Sequence, residues 1–82
     1  LENQMLNDLS IFPNPTSSFL TIQSNNLISP ISIYDITGKL VLQNTGNSKE
    51  IILDISNLNS GLYFIKSNSQ NSSIRKRFIV SN

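Results

Sequence analysis

The chain has 82 residues, a net charge of +1, no Cys and no His, which removes disulfide frameworks, thiolate chemistry, His-based triads and nearly every familiar zinc or copper site. Six basic residues against five acidic ones leave no field for electrostatic capture of nucleic acid, and a hydrophobic share of 38% is too high for a disordered chain. One small domain is expected, able to bury only about two-thirds of its unfolded surface.

No apolar run approaches the ~18 residues of a membrane helix, and no basic start followed by an apolar stretch reads as a signal peptide. Asn and Ser make up roughly a third of the chain and Ala is absent. Asn and Ser compete for nearby backbone groups and so favour caps and turns over helix interiors. The abundant Ile has a branched Cβ suited to a pleated strand. The bias is towards β. Residues 1–8 show no pattern and are read as a linker or cloning tail, with the domain proper at 9–82.

Seven short runs follow, separated by turn signals about every 8–12 residues, the spacing of a sandwich or barrel. The first, 9–12, is stopped by Pro13, Asn14 and Pro15. Each proline lacks a backbone donor and is expected to hold the chain extended, so this strand should be short and at an edge. The second, 19–23, puts Leu20 and Ile22 on one face. The third, 31–35, puts Ile31 and Ile33 inward and leads into Asp35-Ile36-Thr37-Gly38-Lys39. There the Asp carboxylate can accept a turn N–H and Gly38 can take the left-handed conformation of a bulge. The fourth run, 40–43, returns antiparallel, and Thr45-Gly46-Asn47-Ser48 is read as the next reversal.

The fifth run, 50–55, turns Ile51, Leu53 and Ile55 to one face and Glu50, Ile52 and Asp54 to the other. A compact corner at 56–61 precedes the sixth, 62–66, which is apolar on both faces and reads as a central strand. A polar hairpin loop at 67–73 leads to the last run, 74–80. No helix of useful length and no repeat is found. The fold class is therefore all-β, two antiparallel sheets packed face to face. Within Asn59-Ser60-Gly61-Leu62-Tyr63, the Gly two before the Tyr and the polar residue four before it match a tyrosine corner, in which the phenol bonds back to the corner's backbone. That favours an immunoglobulin-like sandwich of about seven strands; a plainly buried Tyr with a hydrated hydroxyl is the other reading.

Chemistry is scarce. The acids are Glu2, Asp8, Asp35, Glu50 and Asp54. Glu50 and Asp54 share a strand face but stand roughly 13 Å apart at the rise of a strand, beyond the ~9.5 Å reach of a glycosidase pair. Asp35 and Asp54 suit turns, and no acidic cluster suits calcium. Gly38-Lys39 lacks the rest of a phosphate loop. Asn71-Ser72-Ser73 matches the N-glycosylation pattern, which a Ser- and Asn-rich chain produces by chance. No catalytic residue, cofactor or metal ligand is assigned, and an enzyme is not expected. In Arg75-Lys76-Arg77 the strand period sends both Arg to one side and Lys76 to the other, with Ile74, Phe78 and Val80. Charge on a terminal strand deters edge-to-edge pairing; the alternative is a docking feature for an acidic or backbone-reading partner. On spacing alone edge protection is preferred. For Phe12 and Phe19, burial is expected over exposure.

Residues 12–16, 20–22 and 33–41, then 53–66 and 76–80, together resemble the type A C-terminal sorting domain of type IX secretion system cargo proteins in Bacteroidota. The resemblance spans about 9–82. It implies an immunoglobulin-like sandwich carried by a larger exported protein, and recognition in the periplasm by the type IX machinery. It further implies passage across the outer membrane and removal by a sortase-like peptidase, leaving the parent at the cell surface or released. It implies that Gly61, Tyr63 and the basic-apolar terminal strand, here Arg75, Lys76, Arg77, Phe78, Ile79 and Val80, are tied to sorting. Pro13, Asn14 and Pro15 would mark the start of the fold, with Asp35, Gly38 and Lys39 as its hairpin motif. The rival is a surface-exposed carbohydrate-binding or fibronectin-like module of an adhesin or hydrolase, which needs a ligand face of exposed aromatics.

Overall fold

The computed structural model describes residues 9–68 and 73–82; the linker expected at 1–8, the acids Glu2 and Asp8, and most of the 67–73 loop with its Asn71-Ser72 sequence lie outside them. All seven expected strands are present: β1 Leu9–Phe12, β2 Phe19–Ser24, β3 Ile31–Asp35, β4 Leu40–Asn44, β5 Glu50–Asp54, β6 Gly61–Asn68 and β7 Ser73–Val80. They form a three-stranded sheet, β1-β2-β5, and a four-stranded sheet, β4-β3-β6-β7, with every ladder antiparallel. β1 is an edge strand and β6 is central, as the prolines and the two-sided apolarity of β6 predict.

The period-2 alternation of Ile and Leu fills the space between the sheets. Leu9, Leu20, Ile22, Ile51 and Leu53 are buried from one sheet, and Ile31, Ile33, Tyr63, Ile65, Phe78 and Val80 from the other. Because alternate residues point to opposite faces, each strand brings only part of its apolar content inward. The remainder stays outside. Phe12 and Phe19 are 43% and 55% exposed, which corrects the burial expected of them. Leu20 and Ile22 already fix the inward face of β2, so Phe19 must point out; on β1, Leu9 is buried and Phe12 falls on the opposite face.

The β3–β4 hairpin forms as its sequence predicts. One carboxylate oxygen of Asp35 accepts the Thr37 N–H (2.9 Å), the Thr37 hydroxyl (2.6 Å) and the Lys39 N–H (3.1 Å). Gly38 has φ 90° in the turn, and a separate register shift between Ile33 and Tyr34 leaves Val41 as an extra residue, a bulge on β4. These hydrogen bonds, the Thr37 hydroxyl first, hold the Asp35 carboxyl below its ordinary pKa.

The reading of 45–48 as a reversal needs correction. β4 and β5 lie in different sheets, and the segment crosses between them. It packs on the β2–β3 connection, where the Ile28 N–H donates to Ser48 O (2.8 Å) and the Asn47 N–H to Ile28 O. Gly46, at φ 73°, permits the close approach: a Cβ there would stand 2.4 Å from the Ile28 carbonyl oxygen. A sheet-to-sheet crossing and a hairpin call for the same turn residues, so composition does not separate them. Ile28, on the connection between β2 and β3, is itself buried in the core.

Candidate functional site

β7 is where the residues singled out in the sequence meet, and three segments hold it. Along its full length it pairs with β6, from Gly61 opposite Val80 to Asn68 opposite Ser73. On its outer edge the proline segment lies against its C-terminal end. The Asn14 side chain accepts the Ile79 N–H (2.9 Å), the Thr16 N–H donates to Ile79 O (2.9 Å) and the Ser81 N–H to Thr16 O (2.8 Å). Thr16 forms a parallel bridge with Val80, and its hydroxyl donates to Phe19 O (2.6 Å). The peptide bonds before Pro13 and Pro15 are both cis, where an extended segment was expected. Residues 13–16 thus form a clasp over the end of the last strand.

The corner between β5 and β6 supplies the third support. The Tyr63 hydroxyl donates to Asn59 O at 2.7 Å, the bond of a tyrosine corner. Its ring stacks on Phe78 of β7 with centroids 5.8 Å apart, so the corner and the last strand share one buried aromatic pair. Beyond β7, Asn82 donates its N–H to the Ser60 hydroxyl (3.1 Å) and its side-chain amide to Leu58 O (2.9 Å). Gly61 sits at φ 155° with open space where a Cβ would be, so its need for glycine comes from backbone conformation alone. Asp54 opens the corner by accepting the Ser56 hydroxyl (2.6 Å) and N–H (2.9 Å). These two bonds, the hydroxyl's first, lower its pKa.

The basic run divides as its period predicts. Ile74 and Lys76 are half-buried and Phe78 and Val80 fully buried on the inner face, while Arg75, Arg77 and Ile79 are exposed outside. On that outer face the register sets Lys66 beside Arg75 and Phe64 beside Arg77, with Ser32 and Tyr34 next on β3. A shallow hollow there is bounded by Tyr34, Asp35, Phe64, Lys66 and Arg75. Among the described residues no carboxylate pairs with Lys66, Arg75 or Arg77, and no group of acids gathers to hold a metal.

Of the residues singled out, Asn14, Gly61, Tyr63 and 75–80 come together. Asp35 stands opposite Tyr63 in the ladder, and Gly38, in the β3–β4 hairpin, lines the same shallow hollow as Arg75. Two residues that belong here were not singled out individually. Thr16 is a polar side chain only 3% exposed, and nothing local announced its partner 64 positions along the chain. Lys66 joins the two Arg only through the ladder, which becomes visible once β6 and β7 are read as a hairpin.

Comparison with known proteins gives three likenesses. Residues 10–81 match the family described as "Secretion system C-terminal sorting domain". Over 84 aligned residues the chain is 25% identical to the ulvan lyase NLR42 of Nonlabens ulvanivorans, covering 100% of this chain and 16% of that protein. Its fold is similar, at a TM-score of 0.82 and 22% identity, to part of PorZ, an essential bacterial surface component of the type-IX secretion system of Porphyromonas gingivalis; the likeness covers 95% of this chain and 12% of that one.

Proposed function

The chain belongs to the family of secretion system C-terminal sorting domains, and from that premise we propose that it is the export address of a larger protein, read by type IX machinery. The family match from 10 to 81 carries this reading, because it takes in all but the first residue of the seven strands, together with the proline clasp and the tyrosine corner that brace β7. The likeness to PorZ points to the type of system. The relative of which this chain spans 16% suggests a parent many times its size. In this reading the module does no chemistry. It accompanies the parent through the periplasm and across the outer membrane, after which a sortase-like peptidase removes it and leaves the parent at the surface or released. Machinery serving unrelated cargoes needs a mark that folds independently of each, and a self-contained sandwich with its last strand braced on three sides meets that need.

The test is a periplasm-directed fluorescent reporter bearing this chain at its C-terminus, expressed in a bacterium with type IX secretion. It should reach the medium or the cell surface, while the reporter alone and the reporter with the Phe78→Ala chain stay inside. Equal export of the bare reporter would overturn the reading.

A second reading, a ligand-binding face, has one observation in its favour: Phe12, Phe19 and Ile52 all lie exposed on the outer side of the three-stranded sheet. Binding in a glycan array that Phe19→Ala abolishes would favour it over the export address.

A further inference from the structure

β7 lies at the edge of its sheet, and among the described residues only one end of that edge is covered. Ile79 turns both its N–H and its C=O outward, where Asn14 and Thr16 take them. In an antiparallel ladder the same orientation returns at every second residue, so Arg77, Arg75 and Ser73 present their backbone groups to the same edge. Among the described residues none of these groups has a partner. From Ser73 to Phe78 the open edge runs for roughly 16 Å at the ~3.3 Å rise of a strand.

The other edges differ. β1 has four residues and ends against Pro13. β4 carries the bulge. On β5 the Ser48 hydroxyl covers Glu50, donating to its carbonyl oxygen (2.8 Å) and accepting its N–H (3.2 Å). Among the described residues only β7 combines length, regular register and backbone groups without a partner, and the residues that present those groups include both outward arginines. A strand laid along it would continue the rows of Lys66–Arg75 and Phe64–Arg77, placing alternate side chains next to cations that form no ion pair among the described residues.

We infer that the edge of β7 between Ser73 and Phe78 is a docking site for an extended acidic segment of a partner protein, which adds to the four-stranded sheet with carboxylates at alternate positions facing Arg75 and Arg77. Main-chain bonds supply affinity and the charges supply orientation and association rate. The clasp fixes one boundary, because a strand added along this edge must stop short of Ile79. The inference rests on the export reading and names the chemistry of its receptor. Edge protection by charge, the reading preferred from spacing, accounts for Arg on an edge but not for a row of cations extended onto β6 by Lys66.

The test uses the chain with a fluorescent capped peptide, Thr-Glu-Val-Glu-Thr-Glu-Val, and its Lys-for-Glu counterpart. The acidic peptide should bind with clear preference and slow the amide exchange of Arg75 and Arg77. Binding should weaken about tenfold in the Arg75→Glu/Arg77→Glu variant, and again when salt is raised enough to bring the Debye length down to about 5 Å. Both arginines are exposed, so the variant should keep its melting temperature. Equal binding of the two peptides, protection elsewhere, or self-association of the chain through this edge in sedimentation would each overturn the inference. The same double variant on the exported reporter separates the two claims. Retention of the variant supports docking at this edge; normal export refutes that docking and leaves the address intact. Failure of the unmodified chain to export its reporter refutes the address.

Discussion

The two outer faces of the sandwich come from strands of similar character and carry opposite chemistry. On the three-stranded side the carboxylates Glu50 and Asp54 are both occupied, Glu50 accepting the Gln23 side-chain amide at 2.7 Å and Asp54 holding Ser56, and a single cation, Lys49, stands beside Glu50. On the four-stranded side the charges are Lys66, Arg75 and Arg77, and no described side chain occupies them. Asp35, at the end of that sheet, is spent on its own hairpin. A carboxylate is short and satisfied by the turn beside it, while the long basic side chains extend past their own backbone. The chain is nearly neutral, yet three of its six basic side chains, Lys66, Arg75 and Arg77, gather on one outer face.

The contrast between inner and outer residues gives the largest expected effect. Phe78 is fully buried and stacked on Tyr63, so Phe78→Ala should cost about 3–5 kcal/mol. For a domain this small that is most or all of its stability. Phe19→Ala on the outer three-stranded face should stay within about 0.5 kcal/mol. Thermal unfolding by circular dichroism measures both. A folded Phe78→Ala chain, or a Phe19→Ala chain as unstable as it, would break the distinction between core and display.

Tyr63→Phe sharpens the comparison at the corner. It keeps the stacked ring and removes the bond to Asn59 O, leaving a carbonyl to find another donor, so about 1 kcal/mol should be lost. Urea midpoints read this directly. No loss would mean that the hydroxyl is equally well served by water, and the corner would owe its shape to Gly61 and packing alone.

How far these features are legible in the sequence depends on the range of the interaction. The seven strands and the Asp35 hairpin follow from alternation and local turn chemistry, so they can be read residue by residue. The tyrosine corner is also local, four residues from donor to acceptor. The clasp is not, because Asn14 and Thr16 meet β7 across most of the chain, and Pro-Asn-Pro reads only as a place where a strand stops. The crossing at 45–48 fails for a related reason: its turn residues say that the chain bends but not which sheet it joins. Phe12 and Phe19 show the opposite case. Strand alternation sets both on the outer face, and the general tendency of aromatics to be buried does not outweigh it.

The smallest expected effect comes from the carboxylates that shape the turns. Asp35 and Asp54 both have lowered pKa values in the folded chain, chiefly through the hydroxyls of Thr37 and Ser56. A depressed folded-state pKa means that the stabilisation is present above the ordinary carboxylate pKa of about 3.9 and is lost as the pH falls through the lowered value. The melting temperature should therefore hold between about pH 5 and 7 and decline in the acid range. In an Asp35→Asn/Asp54→Asn chain those two groups no longer titrate, so the gap to the unmodified chain should be widest near neutrality and close below about pH 4. A gap that stayed constant with pH would show that these carboxylates act through shape alone. Their occupied state could then no longer be set, as charge, against the unpaired cations on the opposite face.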